Sequence, residues 1–327
     1  MERARINKRK KFVLPTVVQT AISMNCVSSL EHYAREDGER TPVLRSVSLE
    51  VPARSVYGVA GKDRFALELI AEIAGTLKPH ENGRCVLMET GMMRKKRRIL
   101  PHVFYINDQD VLYDHMQVLT YLMFISERAG RRHELVQESW LELMLDTGSY
   151  RMALTRIGAL TQDERALVSL LAAHASSARI VIADFSRIAI PRERHAEFAR
   201  LFARLSKQDK TVFLVSPDEG FIGRCCTHAA LLLDGCIRVC GDIKGLCERY
   251  DRRLATIYSS QSPKAAQAVR EAFPALGVAE SVGKVKLYGE GDPLAIMGHL
   301  AARGVRTEGM VTGDKTLEEA FLEARKS

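Results

Sequence analysis

The stretch LTQDERALVSLLAAHASSARIVIADFS, residues 160–186, decides the fold. In its first half Leu160, Leu167, Leu170 and Leu171 recur at helical spacing. Thr161-Gln162-Asp163-Glu164 stands before them and fits the capping box S/T-x-x-E, whose two side chains satisfy orphan backbone donors reciprocally. The second half, Arg179-Ile180-Val181-Ile182-Ala183-Asp184, is a short β-branched run ending in an acid, as expected of a buried parallel strand. A helix followed at once by such a strand is how nucleotide-binding α/β proteins present a metal-binding carboxylate.

On these residues the stretch resembles the signature-to-Walker-B segment of ATP-binding-cassette (ABC) transporter ATPases, which read LSGGQ, a helix, four apolar residues and Asp-Glu. The resemblance puts the signature Ser-Gly-Gly on Thr161, Gln162 and Asp163. It puts the Walker B Asp on Asp184 and the catalytic Glu on Phe185. The frame is kept while the chemistry is replaced.

Upstream, Ser55–Gly61 reads as a strand entering a glycine turn, and Phe65–Ala74 as an apolar-periodic helix ending at Gly75. A P-loop belongs between them. Its pattern G-x-x-x-x-G-K-[ST] needs glycines so that backbone N–H groups wrap the phosphates, Lys for charge and Ser or Thr for Mg²⁺. Here Gly61-Lys62 is followed by Asp63, and Val56 stands where the first glycine belongs. Anchored on Gly58 and Gly75 instead, the segment is a residue short, and the Lys and Ser/Thr positions fall near Leu67 and Glu68. Asp63 is a good N-cap for the helix, and a carboxylate there is stabilising by about 0.3–1 kcal/mol. That positive helix end receives a phosphate in a working site. Both anion-binding helix ends are thus expected to be capped from within, so that a triphosphate would meet carboxylates.

Further segments follow the same resemblance. Val43–Val51 alternates apolar with polar, as a half-buried strand should. Tyr33 falls about where the family stacks an aromatic on adenine, though packing is the commoner role for a strand Tyr. His102–Tyr113 resembles the Q-loop region, with the family's Gln on Asp108 and Gln109 one place late. Met116–Glu127 and Glu134–Asp146 resemble the helical subdomain, where Trp140 reads as core. The D-loop falls on Ile188–Pro191, and Pro217 replaces the switch histidine within Thr211–Asp218. The Ala229–Val239 strand pair completes the cassette near Tyr250.

From Arg253 onward, strand, helix, strand, helix, strand and helix alternate in a β-α-β-β-α-β-like order, which suggests a small α+β domain. Thr316–Leu322 resembles the ending of cassettes from drug- and polysaccharide-exporter branches. The expected architecture is α/β: a P-loop NTPase-like ABC cassette with an antiparallel β subdomain, a mixed-sheet core and a helical subdomain, plus this small domain. Residues 1–24 read as a basic extension, 25–250 as a degenerate cassette and 251–327 as a regulatory or accessory domain, with Met24 an alternative start.

Length and composition fit a core-forming protein, with 327 residues, 46% hydrophobic and 27% charged. The net charge of +8 invites a nucleic-acid reading. It comes from residues 1–11 and Arg94–Arg98, two runs of +5 each, and without them the remainder is near −2. No aromatics interleave Arg94–Arg98, so a solvated surface is the better reading and a nucleic-acid-binding regulator the weaker one. The seven cysteines lack paired metal-site spacing and read as reduced thiols, with those from Cys225 onward as small core residues in a strand pair. No apolar run is long enough to span a membrane.

The resemblance therefore implies a cytoplasmic, non-hydrolysing subunit peripheral to the inner face of a membrane. Its partners would be an ABC permease and a second cassette, in a homo- or heterodimer. No catalytic residue, metal or cofactor is expected, and Gly58, Gly61, Lys62, Asp63, Asp108, Gln109, Thr161, Gln162, Asp163, Asp184, Phe185 and Pro217 mark a vestigial nucleotide site. The alternative is a divergent ATPase that binds ATP and Mg²⁺ through Lys62 and Asp184.

Overall fold

The computed structural model describes residues 19–34, 40–88, 90–91, 99–128, 133–251, 253–313 and 315–326. Both basic runs lie outside these residues. The chain divides into two compact units, with the break at Cys240/Gly241, ahead of the 250/251 boundary that the sequence suggests.

The first unit opens with strand β1 (Thr20–Ser29), the small ribbon of β2 (His32–Ala34) and β3 (Arg40–Pro42), and β4 (Val47–Pro52). Along β4, Val47, Leu49 and Val51 are buried while Ser48 and Glu50 are exposed, the alternation the sequence predicts. Residues 20–24, assigned above to the extension, form the first half of β1. Ala21 and Ile22 are core residues, and Met24 pairs with Leu49 and Cys85. A chain starting at Met24 would lose both core residues.

Next come β5 (Val56–Ala60), helix α1 (Arg64–Ala74), β6 (His80–Leu87), β7 (Thr90–Gly91) and β8 (Val103–Ile106). Strands β4-β1-β6-β7 form one antiparallel sheet. A helical region follows, α2 (Val118–Arg128) and α3 (His133–Thr147), leading to α4 (Gln162–Ala175). In it Trp140 is buried and donates its indole N–H to Ser126 Oγ at 2.9 Å, so it belongs to the core.

Then come β9 (Ile180–Asp184), α5 (His195–Lys207), β10 (Thr211–Ser216), α6 (Glu219–Cys225), β11 (His228–Leu233) and β12 (Cys236–Asp242), within which the first unit ends at Cys240. The main sheet has the order β12-β11-β5-β10-β9-β8, and β11, β5, β10, β9 and β8 run parallel. Strands β5, β9 and β10 are buried at every residue, which explains their near-continuous apolar sequence. A two-residue turn joins β11 to β12, with Asp234 and Gly235 both at positive φ, the geometry of a type I′ hairpin. Cys225 and Cys247 are buried in helices, a correction to the strand-pair reading.

The second unit contains α7 (Ile243–Tyr250), β13 (Arg253–Tyr258), α8 (Ser262–Ala272), β14 (Gly277–Ser281), β15 (Lys284–Tyr288), α9 (Pro293–Ala302), β16 (Gly309–Thr312) and α10 (Leu317–Ala324). Its antiparallel sheet has the order β14-β15-β13-β16, the ferredoxin-like arrangement of a β-α-β-β-α-β chain. Ala255, Ile257, Val285 and Leu287 face Val269, Ile296 and Leu300 in a separate core. Strand β14 is invisible to hydrophobic patterning because it is an edge strand with almost every residue exposed.

Candidate nucleotide site

Strands β5, β10 and β9 lie side by side in register, Ala60 beside Ser216 and Val215 beside Asp184. Their carboxyl ends bring the Gly61–Asp63 turn, Pro217 and Asp184 to one edge of the sheet, where open α/β sheets bind ligands. Asp108 and Gln109 follow β8, which flanks β9 there.

The junction between β5 and α1 is three residues long, Gly61 to Asp63. Asp63 caps α1: its Oδ1 accepts the N–H groups of Phe65 at 3.0 Å and Ala66 at 3.1 Å. Its Oδ2 accepts the Tyr33 hydroxyl at 2.6 Å. Burial, helped by this hydrogen bond to a carboxylate, pushes the Tyr33 phenol above its ordinary range. The Tyr33 ring packs edge-on against Phe65, with centroids 6.2 Å apart. Lys62 is exposed. The two glycines serve packing. A Cβ on Gly61 would sit 2.9 Å from the Leu232 carbonyl oxygen, and one on Gly58 would sit 2.5 Å from Ile222 Cγ2.

At the end of β9, Asp184 is buried. Its Oδ2 accepts the Tyr105 hydroxyl at 3.0 Å and its Oδ1 accepts the Ser186 N–H at 3.1 Å. Burial raises its carboxyl above the usual value despite these bonds. Phe185 points into the core and meets the rings of Phe198 at 5.8 Å and Phe221 at 6.2 Å. Just beyond, Arg187 donates through Nε and Nη2 to Glu68 Oε2 at 3.1 and 2.7 Å. Glu68 is where one registration placed the Mg²⁺ hydroxyl. Pro217 precedes Asp218, which caps α6 by accepting the Phe221 N–H at 2.9 Å.

At α4 the capping box forms, and Glu164 Oε2 accepts the Thr161 N–H at 3.1 Å. Thr161 and Gln162 are exposed, but Asp163 turns inward. It accepts the Thr161 hydroxyl at 2.6 Å and the buried Arg194 guanidinium at 2.5 Å. Burial raises the Asp163 carboxyl, and the bonds from Thr161 and Arg194 overcome this and hold it below the usual range. The expectation that this carboxylate meets an incoming anion is therefore corrected: Arg194 already neutralises it. Asp108 and Gln109 are exposed on a turn in which Asn107 Oδ1 accepts the Gln109 N–H at 3.0 Å.

Sequence reasoning missed Tyr105, Arg187 and Arg194, whose partners lie 79, 119 and 31 residues away. The only local hint was an acid at a helix start with no visible counter-charge. Among the described residues, no group of three or more His, Cys, Asp or Glu side chains is placed to hold a metal ion.

No family model and no curated protein matches the sequence. Solved structures do. The chain is similar to cbiO1 from Clostridium perfringens, described as part of the ABC transporter complex cbiONQ, at 12% identity and TM-score 0.55, covering 79% of this chain and 97% of that one. It is similar to MJ0796, a bacterial ABC transporter cassette of dimeric structure, at 17% identity and TM-score 0.54, covering 68% and 98%. A structure described as the ATP binding subunit of an ABC transporter matches at 14% identity and TM-score 0.52, covering 71% and 94%. At these identities the likeness speaks to architecture, and the parallel core sheet beside an antiparallel sheet agrees with it. The chain has the fold of an ABC transporter ATP-binding cassette.

Proposed function

We propose that this protein is a non-hydrolysing, cassette-like subunit of a membrane exporter that binds an ABC permease and a second cassette. The carrying observation is Asp63: both of its carboxylate oxygens are engaged, one by the amino end of α1 and one by Tyr33. A phosphate at that helix end would have to displace a carboxylate, and the three-residue junction is too short for the wrap that G-x-x-x-x-G-K-[ST] provides. ATP and Mg²⁺ do not fit the residues present. Phe185 supplies no base, and Pro217 offers no polar side chain to a γ-phosphate.

The export assignment rests on the Thr316–Leu322 resemblance, and the partners on the shared architecture, since the similar structures include a dimeric cassette and a transporter component. Among the described residues no helix is long and apolar enough to cross a membrane, which suits a subunit held at the inner face by a permease. The ferredoxin-like unit is the accessory or regulatory domain in this reading.

Isothermal titration of the purified chain with Mg-ATP tests the proposal. No binding up to millimolar nucleotide is expected, and micromolar binding would overturn it. One observation favours a second reading, a divergent ATPase: Asp184 keeps its place at the end of β9, and Lys62 is exposed after β5 at the same carboxyl edge of the sheet, with β10 between the two strands. Turnover lost in both Lys62→Ala and Asp184→Ala would establish that reading. Affinity capture of the full chain from its native membrane, with the co-purifying permease and cassette identified by mass, tests the partners.

A further inference from the structure

Helix α5 has two faces. Phe198, Leu201, Phe202 and Leu205 are fully buried, and Phe198 meets both Phe185 and Phe221. On the neighbouring stripe Glu197, Arg200 and Arg204 recur at three- and four-residue spacing, so they share one side of the helix with Arg194 just ahead of them. All four reach toward the end of α3 and the turn after it.

Arg204 Nε donates to Asp146 Oδ2 at 2.8 Å. Arg200 donates from Nε and Nη2 to the Thr147 carbonyl oxygen at 3.2 and 3.1 Å, satisfying a carbonyl that the helix end leaves open and adding a cation at its negative pole. Glu197 faces Arg151 at 3.6 Å and takes two bonds from Arg194, at 3.1 and 3.0 Å. Arg194 also donates to Met152 Sδ at 3.6 Å and to Asp163 of α4. Gly148, at φ +84°, lies under the Arg200 guanidinium: a Cβ there would be 2.7 Å from Nη2. On the other side of the region, Arg165 of α4 donates to Asp114 at 2.7 Å and to the Ile157 carbonyl oxygen at 3.2 Å.

The geometry points to a conformational latch: the arginine stripe of α5 clamps segment 146–152, so that the helical region and α5 move as one body. A partner that grips the helical region therefore pulls on α5, and through Phe198 on Phe185, just after β9, and on Phe221 of α6, the helix after β10, with no nucleotide involved. The latch stands on its own contacts and holds whether or not ATP binds.

Hydrogen–deuterium exchange on the full chain tests it. The double variant Arg200→Ala/Arg204→Ala should speed exchange in peptides covering 140–152 by about tenfold, because charge-assisted bonds are removed, while peptides covering β5 and α1 stay unchanged. Unaltered exchange in 140–152, or an equal rise throughout the first unit, would overturn the latch. A charge exchange tests the same contact independently if the double variant fails to fold. Asp146→Arg should speed exchange in 140–152, and adding Arg204→Asp should restore it. Failure of the second substitution to restore it also overturns the proposal.

Discussion

The Tyr33 hydroxyl donates to Oδ2 of Asp63 at 2.6 Å, while Oδ1 of the same carboxylate caps α1. Tyr33 is thereby fastened to the residue that caps the amino end of α1. Asp63→Ala should destabilise the first unit by about 1 kcal/mol through loss of the cap. Asp63→Asn, which keeps an accepting oxygen, should cost less. Urea unfolding curves of the two variants check the order.

Phe185 is enclosed by Phe198 and Phe221, so replacing it with the acid that a hydrolase requires leaves a charge unpaired in an aromatic core. Phe185→Glu should cost at least about 3 kcal/mol and yield no ATP turnover above background. Denaturant midpoints and a phosphate-release assay read both arms together. A stable, hydrolysing variant would contradict the packing argument.

Asp184 is a carboxylate held in a buried place, with its carboxyl raised by burial. The unfolded chain ionises this group at lower pH than the folded one, so at neutral pH its charge opposes folding. Asp184→Asn should raise Tm at pH 7, since the amide can accept from the Ser186 N–H and donate to the Tyr105 oxygen. The gain should fade as pH falls through the raised folded value and be gone below about 4, where both states are protonated.

Asp163 behaves in the opposite sense, because its folded carboxyl is held below the usual range. Its contribution is present above about pH 4 and is lost as pH falls through the lower folded value. Removing one partner of the buried pair, Arg194→Met, should cost about 3–5 kcal/mol at pH 7. The penalty should shrink in acid, as Asp163 takes up a proton. Thermal unfolding across a pH series separates this from a simple cavity effect.

Gly61→Ala tests whether the turn glycine serves the sheet. Its Cβ would press on the Leu232 carbonyl oxygen, a backbone atom, so a loss of about 1–3 kcal/mol is expected in unfolding experiments.

What the sequence discloses here is what acts locally. The caps at Asp63 and Thr161 depend on residues within three positions, and buried strands β5, β9 and β10 announce themselves as apolar runs. The order of the cassette-like segments is enough to read the cassette architecture. Hidden were the counter-charges, because Arg194 and Arg187 reach acids through the fold, and β14, because an exposed edge strand carries no hydrophobic signal. The inward turn of Asp163 was hidden for the same reason: its direction depends on a distant guanidinium.

The aromatic cluster around Phe185 leaves little room for a charged group at that position. Phe198 and Phe221 pack against that ring and against each other, so a change at one position is felt at all three. Seating a charged side chain there would mean rebuilding the surrounding ring stack at the same time.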